Sequence, residues 1–155
     1  MRRREREVTD PATIRAILEE CDVCHLGLVD DGRAYVVPLN FGYSLEDGEL
    51  TLYFHCAKQG RKLDILRKNP QVSFAIDRPY RLITGPNACD YTMTFGSVLG
   101  EGTARIVEDP AEKRAMLFCL MRKFTREELP LPEKNLTGVT VIEVKAFSFT
   151  AKKNG

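Results

Sequence analysis

The hydrophobic positions of this chain change period several times, and each change predicts an element. Between Pro11 and Cys21 the apolar residues Ile14, Ile17, Leu18 and Cys21 recur at three- and four-residue spacing, one face of a helix. Thr9-Asp10-Pro11 supplies its start, an acceptor side chain at the cap followed by a proline where the N–H has no helical partner. The period then drops to two. Val23 to Val29 and Ala34 to Tyr43 are β-rich runs separated by Asp31-Gly32, a hairpin signal. Glu46-Asp47-Gly48 turns the chain into a third run, with Leu50, Leu52 and Phe54 on one face and Thr51, Tyr53 and His55 on the other. Three strands joined this tightly predict antiparallel pairing, as a meander or barrel rather than a parallel sheet.

Further along, Arg61 to Leu66 predicts a short helix that stops before Pro70, and Gln71 to Asp77 alternates as a strand with Val72, Phe74 and Ile76 together. Residues 78–90, with two prolines, a glycine and an asparagine, read as the least regular loop. Tyr91 to Val107 reads as a long strand or bent pair, with Gly96, Gly100 and Gly102 marking bulges or corners. Asp109-Pro110 caps a further helix running to Phe124 and carrying Ala115, Met116, Cys119, Leu120 and Met121. Pro130 and Pro132 mark a linker before a closing strand from Gly138 to Thr150. No repeat and no domain boundary interrupts this order, so residues 1–155 are expected to form one domain. Residues 1–8, with Arg2, Arg3, Arg4 and Arg6 interrupted by Glu5 and Glu7, are expected to be a flexible basic arm. About six strands with three helices outside them predict a mainly β fold, a small antiparallel barrel.

Composition narrows the function classes. Lys and Arg number 23 against 22 Asp and Glu, a net charge of +1, which argues against nucleic-acid binding by bulk charge. No apolar run has membrane-spanning length and no signal-peptide core follows the first arginines, so a cytoplasmic location without membrane contact is expected. Five cysteines, an odd number without a secretion signal, read as reduced thiols.

The segment Leu52-Tyr53-Phe54-His55-Cys56-Ala57-Lys58-Gln59-Gly60-Arg61-Lys62 carries the clearest chemistry. A strand ends at a histidine, a small-residue turn follows, and a cationic helix start comes next. Gly60 permits close approach of a ligand, and a helix start presents unpaired N–H groups and a partial positive charge suited to phosphate. Arg61 adds a planar fork of donors and Lys62 a point charge; the plainer reading is a solvated basic turn. Pro38 cannot donate to a ladder, so its strand must be an edge or bulged. Val37-Pro38-Leu39-Asn40 then offers backbone groups and an amide to a planar heterocycle, or is simply an edge guarded against aggregation. Cys21-Asp22-Val23-Cys24-His25 matches the pattern of covalent haem attachment, but that occurs in exported proteins, and Cys21 already belongs to the apolar stripe of the first helix. No zinc spacing, phosphate loop, dinucleotide glycine motif or nucleophile elbow is present, and no metal site is expected. His55 and Cys56, neighbours on a strand, point to opposite faces and do not form a nucleophilic pair.

The two stretches Tyr35-Val36-Val37-Pro38-Leu39-Asn40-Phe41-Gly42-Tyr43 and Leu52 to Lys62, at this separation, resemble the Nim-type 5-nitroimidazole resistance proteins. These sit within the pyridoxamine 5′-phosphate oxidase-like, FMN-binding split-barrel superfamily, and the likeness runs from the Arg-rich start to the last strand. The resemblance implies a homodimer with one FMN per subunit, bound between subunits. It implies that Arg61 and Lys62 hold the phosphate, that Val37, Pro38, Leu39 and Asn40 form the flavin shelf, and that Tyr53, Phe54, His55 and Ala57 border the ring and ribityl chain. Ser97 resembles a residue contributed by the other subunit, and His55 occupies the position of the family's functional histidine. The activity implied is reduction of a nitro group, or of a related small electrophile, by flavin-delivered electrons. Two alternatives accompany it: a non-catalytic flavin- or haem-binding carrier or redox sensor, and a thiol-based metal or redox protein using Cys21, Cys24 and Cys56.

Overall fold

In the computed structural model, which describes residues 3–127 and 129–155, the chain opens with a 3-10 turn at Arg4–Arg6 and a two-residue strand, β1 (Glu7–Val8). The basic arm expected over residues 1–8 is therefore docked from Arg4 onward, and Arg2 lies outside the described residues. Helix α1 (Pro11–Glu20) follows, with the Asp10 carboxylate accepting from the Thr13 backbone N–H at 2.9 Å. Strands β2 (Val23–Asp30) and β3 (Arg33–Asn40) form a hairpin, as do β4 (Gly42–Glu46) and β5 (Glu49–Cys56). Both connections are two residues long with positive φ at each, Asp31-Gly32 (49° and 78°) and Asp47-Gly48 (51° and 83°), the geometry that matches strand twist. Helix α2 (Arg61–Lys68), strands β6 (Gln71–Ile83) and β7 (Thr92–Val107), helices α3 (Pro110–Arg122) and α4 (Glu133–Gly138), and strand β8 (Thr140–Asn154) complete the order.

All strand pairs are antiparallel, in the order β3-β2-β6-β7-β8-β5-β4, with β1 added to β8. The mainly β, antiparallel expectation holds, with eight strands and four α-helices among the described residues where the sequence predicts about six and three. The simple meander does not hold. β3 and β4 are consecutive in sequence yet lie at opposite ends of the order. Two contacts divide them: Phe41 is fully buried, and Gly42 lies so close to α3 that a Cβ there would meet the Leu120 Cα at 2.5 Å. A core anchor followed by a helix contact turns the chain out of the first hairpin and into the second.

Residues 78–90 are also more regular than expected. β6 continues through Pro79 to Ile83, with its register against β7 shifting between Pro79 and Arg81. β2 pairs with β6 only from Ser73 to Ile76, so the edge of β6 at Pro79 has no ladder to lose. In α3, Leu117 and Leu120 are the buried residues, while Ala115 and Met121 of the anticipated stripe are exposed. α4 went unseen in the sequence because a single turn with one buried apolar residue, Leu136, shows no period.

The barrel interior is filled from both edges of the sheet. Leu26, Leu28, Leu50, Leu52, Phe54, Phe74, Ile76, Val98, Ile142 and Val144 point inward, and Ile17 and Leu18 of α1 and Leu63 and Leu66 of α2 join the same core. A smaller cluster of Val107, Leu117, Leu136 and Val141 lies under α3 and α4. The β5 alternation is as read, with Leu50, Leu52 and Phe54 each at 1% exposure or less. Burial of each such side chain contributes roughly 1.5–3 kcal/mol.

Candidate functional site

Two of the strand edges that the sheet leaves without partners are brought together by the fold. β4 pairs with β5 only from Glu49 to Tyr53, so Phe54, His55 and Cys56 are laddered to β8 on one side and bare on the other. β3 ends the strand order and is bare along its outer edge, as Pro38 required. From Asn40 the chain needs only Phe41 to reach Gly42, whose partner is Tyr53, so the end of β3 is delivered beside the end of β5. The two approach without forming a ladder. Backbone N–H and C=O groups on both sides of this split have no strand to satisfy them, and a ligand with donors and acceptors in one plane can use them.

The start of α2 closes one end of the split. Gly60, with φ 147°, caps the helix without a side-chain hydrogen bond, and a Cβ at that position would meet nothing within 4 Å. The turn is therefore open to an approaching group, next to free helix N–H donors. The Arg61 guanidinium lies 4.6 Å over the Tyr35 ring of β3, and its Nε and Nη2 donate to Asp30 Oδ2 at 3.2 and 3.1 Å. Lys62 is half-buried and, among the described residues, forms no ion pair. Its charge reaches the Cys56 thiol, which burial pushes above the usual range while Lys62 pulls it back. The Arg61 guanidinium, the Asp30 carboxylate and the helix start make up this cradle, and Lys62 follows Arg61 in the first turn of α2.

The remaining expected residues fall in three groups. Pro38 and Asn40 are exposed, while Val37 and Leu39 alternate inward against the core; the Asn40 amide donates to the Asp22 carbonyl at 3.0 Å, pinning the shelf to the end of α1. His55 and Ala57 are exposed at the end of β5 and in the turn after it. Tyr53 is half-buried, its hydroxyl 3.0 Å from Ser44 Oγ, and burial holds its phenol above the ordinary value. Phe54 belongs to the core, so only its main chain borders the split. Ser97 is not brought here by its own chain. It pairs with Lys152 near one end of β8, whereas His55 pairs with Val141 at the other. Asp30 and Tyr35, which hold Arg61, were not anticipated; hairpin chemistry marked Asp31-Gly32, but nothing local in the sequence couples residue 30 to residue 61.

Two clefts lie elsewhere, one of about 490 Å³ beside Arg114 and Phe118, the other of about 270 Å³ between Val8, Leu45 and Phe149. Neither contains the cradle, which on one chain is an open edge rather than an enclosed pocket. The five cysteines are free thiols, and burial raises Cys21 to about 11 and Cys24 to about 12, which keeps both protonated and unreactive at neutral pH. Among the described residues no group of three or more His, Cys, Asp and Glu side chains is placed to hold a metal, and no helix is long and apolar enough to cross a membrane.

This architecture has known counterparts. A proposed 5-nitroimidazole antibiotic resistance protein from Bacteroides thetaiotaomicron is 31% identical and superposes with a TM-score of 0.81, covering 95% of this chain and 86% of that one. A flavocytochrome from Azotobacter vinelandii is 21% identical with a TM-score of 0.82, covering 100% and 72%. An FAD-binding protein from Mesorhizobium loti is 20% identical with a TM-score of 0.65, covering 97% and 98%. At these lower identities the last two speak to fold alone. No match is found among curated proteins. The sequence profile described as pyridoxamine 5′-phosphate oxidase matches residues 10–153, from the cap of α1 almost to the end of β8. A profile match that takes in β2 to β7 and nearly all of β8, on a barrel split beside a cationic helix start, means that the chain belongs to the pyridoxamine 5′-phosphate oxidase family.

Proposed function

We propose that this protein is an FMN-dependent oxidoreductase that reduces a nitro group, of the 5-nitroimidazole type or a related small electrophile. One observation carries the reading: a cationic helix start and two unladdered strand edges meet in one place. Tyr35, against which Arg61 rests, is three positions from Pro38 on an extended strand, ~10 Å at the usual rise. A phosphate at Arg61 and a planar ring at Pro38 are thus separated by the reach of a ribityl chain. The residues fit FMN in particular. Arg61 and Lys62 supply one cationic pair, enough for one phosphate, and Gly60 leaves that phosphate room.

Bound flavin supplies hydride or single-electron transfer to a small oxidised substrate. The chain's own residues do the rest. Arg61, Lys62 and the α2 N–H groups hold the phosphate, and the bare edges of β3 and β5 meet the polar rim of the ring. His55, exposed at the end of β5, donates a proton or hydrogen bond to a nitro oxygen as negative charge grows there. The enclosing wall comes from a second copy of the chain, in a homodimer with flavin between subunits. The open cradle and the position of Ser97 support this, as do Val36, Leu99 and Phe147, which stand 59%, 47% and 62% exposed on the sheet.

The visible spectrum of the purified protein tests the cofactor. Flavin bands are expected, with FMN rather than FAD released on denaturation; a protein that takes up no flavin overturns the reading. Chemically reduced protein should then be reoxidised by a 5-nitroimidazole at a rate that rises with its concentration. Flavin that binds but is never reoxidised this way leaves a carrier or sensor role instead.

A further inference from the structure

Arg61 does not stand free in its cradle. Two of its three guanidinium nitrogens, Nε and Nη2, donate to the same oxygen of Asp30, and the guanidinium carbon lies over the ring of Tyr35. Asp30 is the last residue of β2 and Tyr35 lies early in β3, so both belong to the hairpin whose outer edge forms the shelf. The hairpin that would carry the flavin ring therefore also sets the direction of the arginine that would carry its phosphate. Asp30 is the more covered partner, with its side chain 23% exposed against 57% for Arg61. The carboxylate is the fixed post and the guanidinium the part that is held.

We propose that Asp30 and Tyr35 are positioning residues for the phosphate end of the cofactor, holding Arg61 so that Nη1, which has no partner among the described residues, is presented to a phosphomonoester. The inference rests on the flavin reading of the same site. Two effects of Asp30 oppose one another. Its charge repels an incoming phosphate, and its grip removes the rotamer freedom that a long exposed arginine would otherwise lose on binding. The repulsion acts across a solvated surface and is screened at physiological salt, whereas the ordering does not depend on ionic strength. Positioning wins. Tyr35 adds an aromatic face 4.6 Å from the guanidinium carbon, a cation–π contact that further holds the side chain.

The test measures affinities of FMN and riboflavin, which differ by the phosphate alone, at 0.15 M salt in the unmodified protein, Asp30→Ala, Arg61→Ala, the double variant of these two, and Asp30→Asn. Asp30→Ala should weaken FMN about fivefold, ~1 kcal/mol, and leave riboflavin unchanged. In an Arg61→Ala background the same change should cost FMN nothing, because the grip of Asp30 acts through Arg61 and loss of its repelling charge can only favour the phosphate. Asp30→Asn keeps an acceptor oxygen while removing the repelling charge, so it should restore FMN affinity to at least the unmodified level. Equal weakening of FMN and riboflavin by Asp30→Ala would reveal a merely structural hairpin role and overturn the proposal, leaving the flavin site intact. A cost that persists without Arg61 would do the same. An unmodified protein that binds neither flavin would overturn the site itself and this inference with it.

Discussion

His55 and Phe54 are neighbours with opposite fates, and the difference defines what each can do. The phenyl ring is part of the core, while the imidazole stands exposed where β5 has left β4 and keeps only β8 as a partner. Replacing His55 by Ala should leave FMN affinity within about twofold and stability within ~0.5 kcal/mol, as for an exposed residue. Turnover of a nitroaromatic should fall by about 10²-fold, the low end for loss of a positioned proton donor; turnover that does not change removes His55 from the mechanism. Arg61 and Lys62 make the complementary prediction. Changing both to Ala should release FMN at 0.15 M salt while riboflavin still binds, read from the flavin retained on gel filtration, and a double variant that keeps its full flavin refutes the phosphate assignment. At this scale the sequence was informative wherever the signal was local. Pro38 announced an edge, Gly60 an open turn, and Asp10 and Asp109 their helix caps. The grip of Asp30 on Arg61 was illegible, because it joins two elements that only the folded topology places side by side.

The hairpins were the most legible elements. Aspartate-glycine pairs specify their turns with no help from the rest of the fold, and the turn then fixes register. What escaped was the relation between hairpins. β3 and β4 read as one continuous run, Ala34 to Tyr43, and nothing in its alternation says that the chain changes strand at Phe41. The change is enforced by α3, which packs on Gly42 from more than seventy residues away. Gly42→Ala tests that argument. Its Cβ would meet the backbone of Leu120 rather than a movable side chain, so α3 must shift. A loss of about 1–3 kcal/mol is expected, measured as a lower urea midpoint with unchanged slope. Since Gly42 opens the strand that pairs with Tyr53, flavin affinity should fall as well. A variant as stable as its parent would show that α3 is not what divides the two strands. Pro79 taught a related lesson: a proline argues against a strand only where both edges are laddered, and β6 has one bare edge there.

The whole molecule is tied across its two largest helices by one side chain. Lys123, just past the end of α3, donates from Nζ to the carbonyls of Leu18 and Cys21 at the end of α1 and lies 3.5 Å over the Phe41 ring. It thus caps one helix, anchors another, and covers the residue at which the barrel splits. Holding it there has a cost. Burial lowers its pKa from the ordinary 10.5 to about 8, with the neighbouring Cys21, Asp22, Glu19 and Cys24 opposing the shift. Between these two values the unfolded chain binds a proton that the folded chain does not, so this group makes stability rise with pH from about 8 to 10.5. Cys21 and Cys24 act in the other direction. Their thiols titrate near 9 when unfolded and at about 11 and about 12 when folded, so the stability they contribute is present below pH 9 and lost above it. The lysine is therefore isolated between pH 8 and 9, before the thiols begin to oppose it. In that interval the unfolding free energy of the unmodified protein, measured in urea, should gain on that of Lys123→Met as pH rises. A difference that stays flat or narrows would mean that Lys123 keeps its proton in the folded state, with the carbonyls of α1 and the Phe41 ring compensating its burial in full.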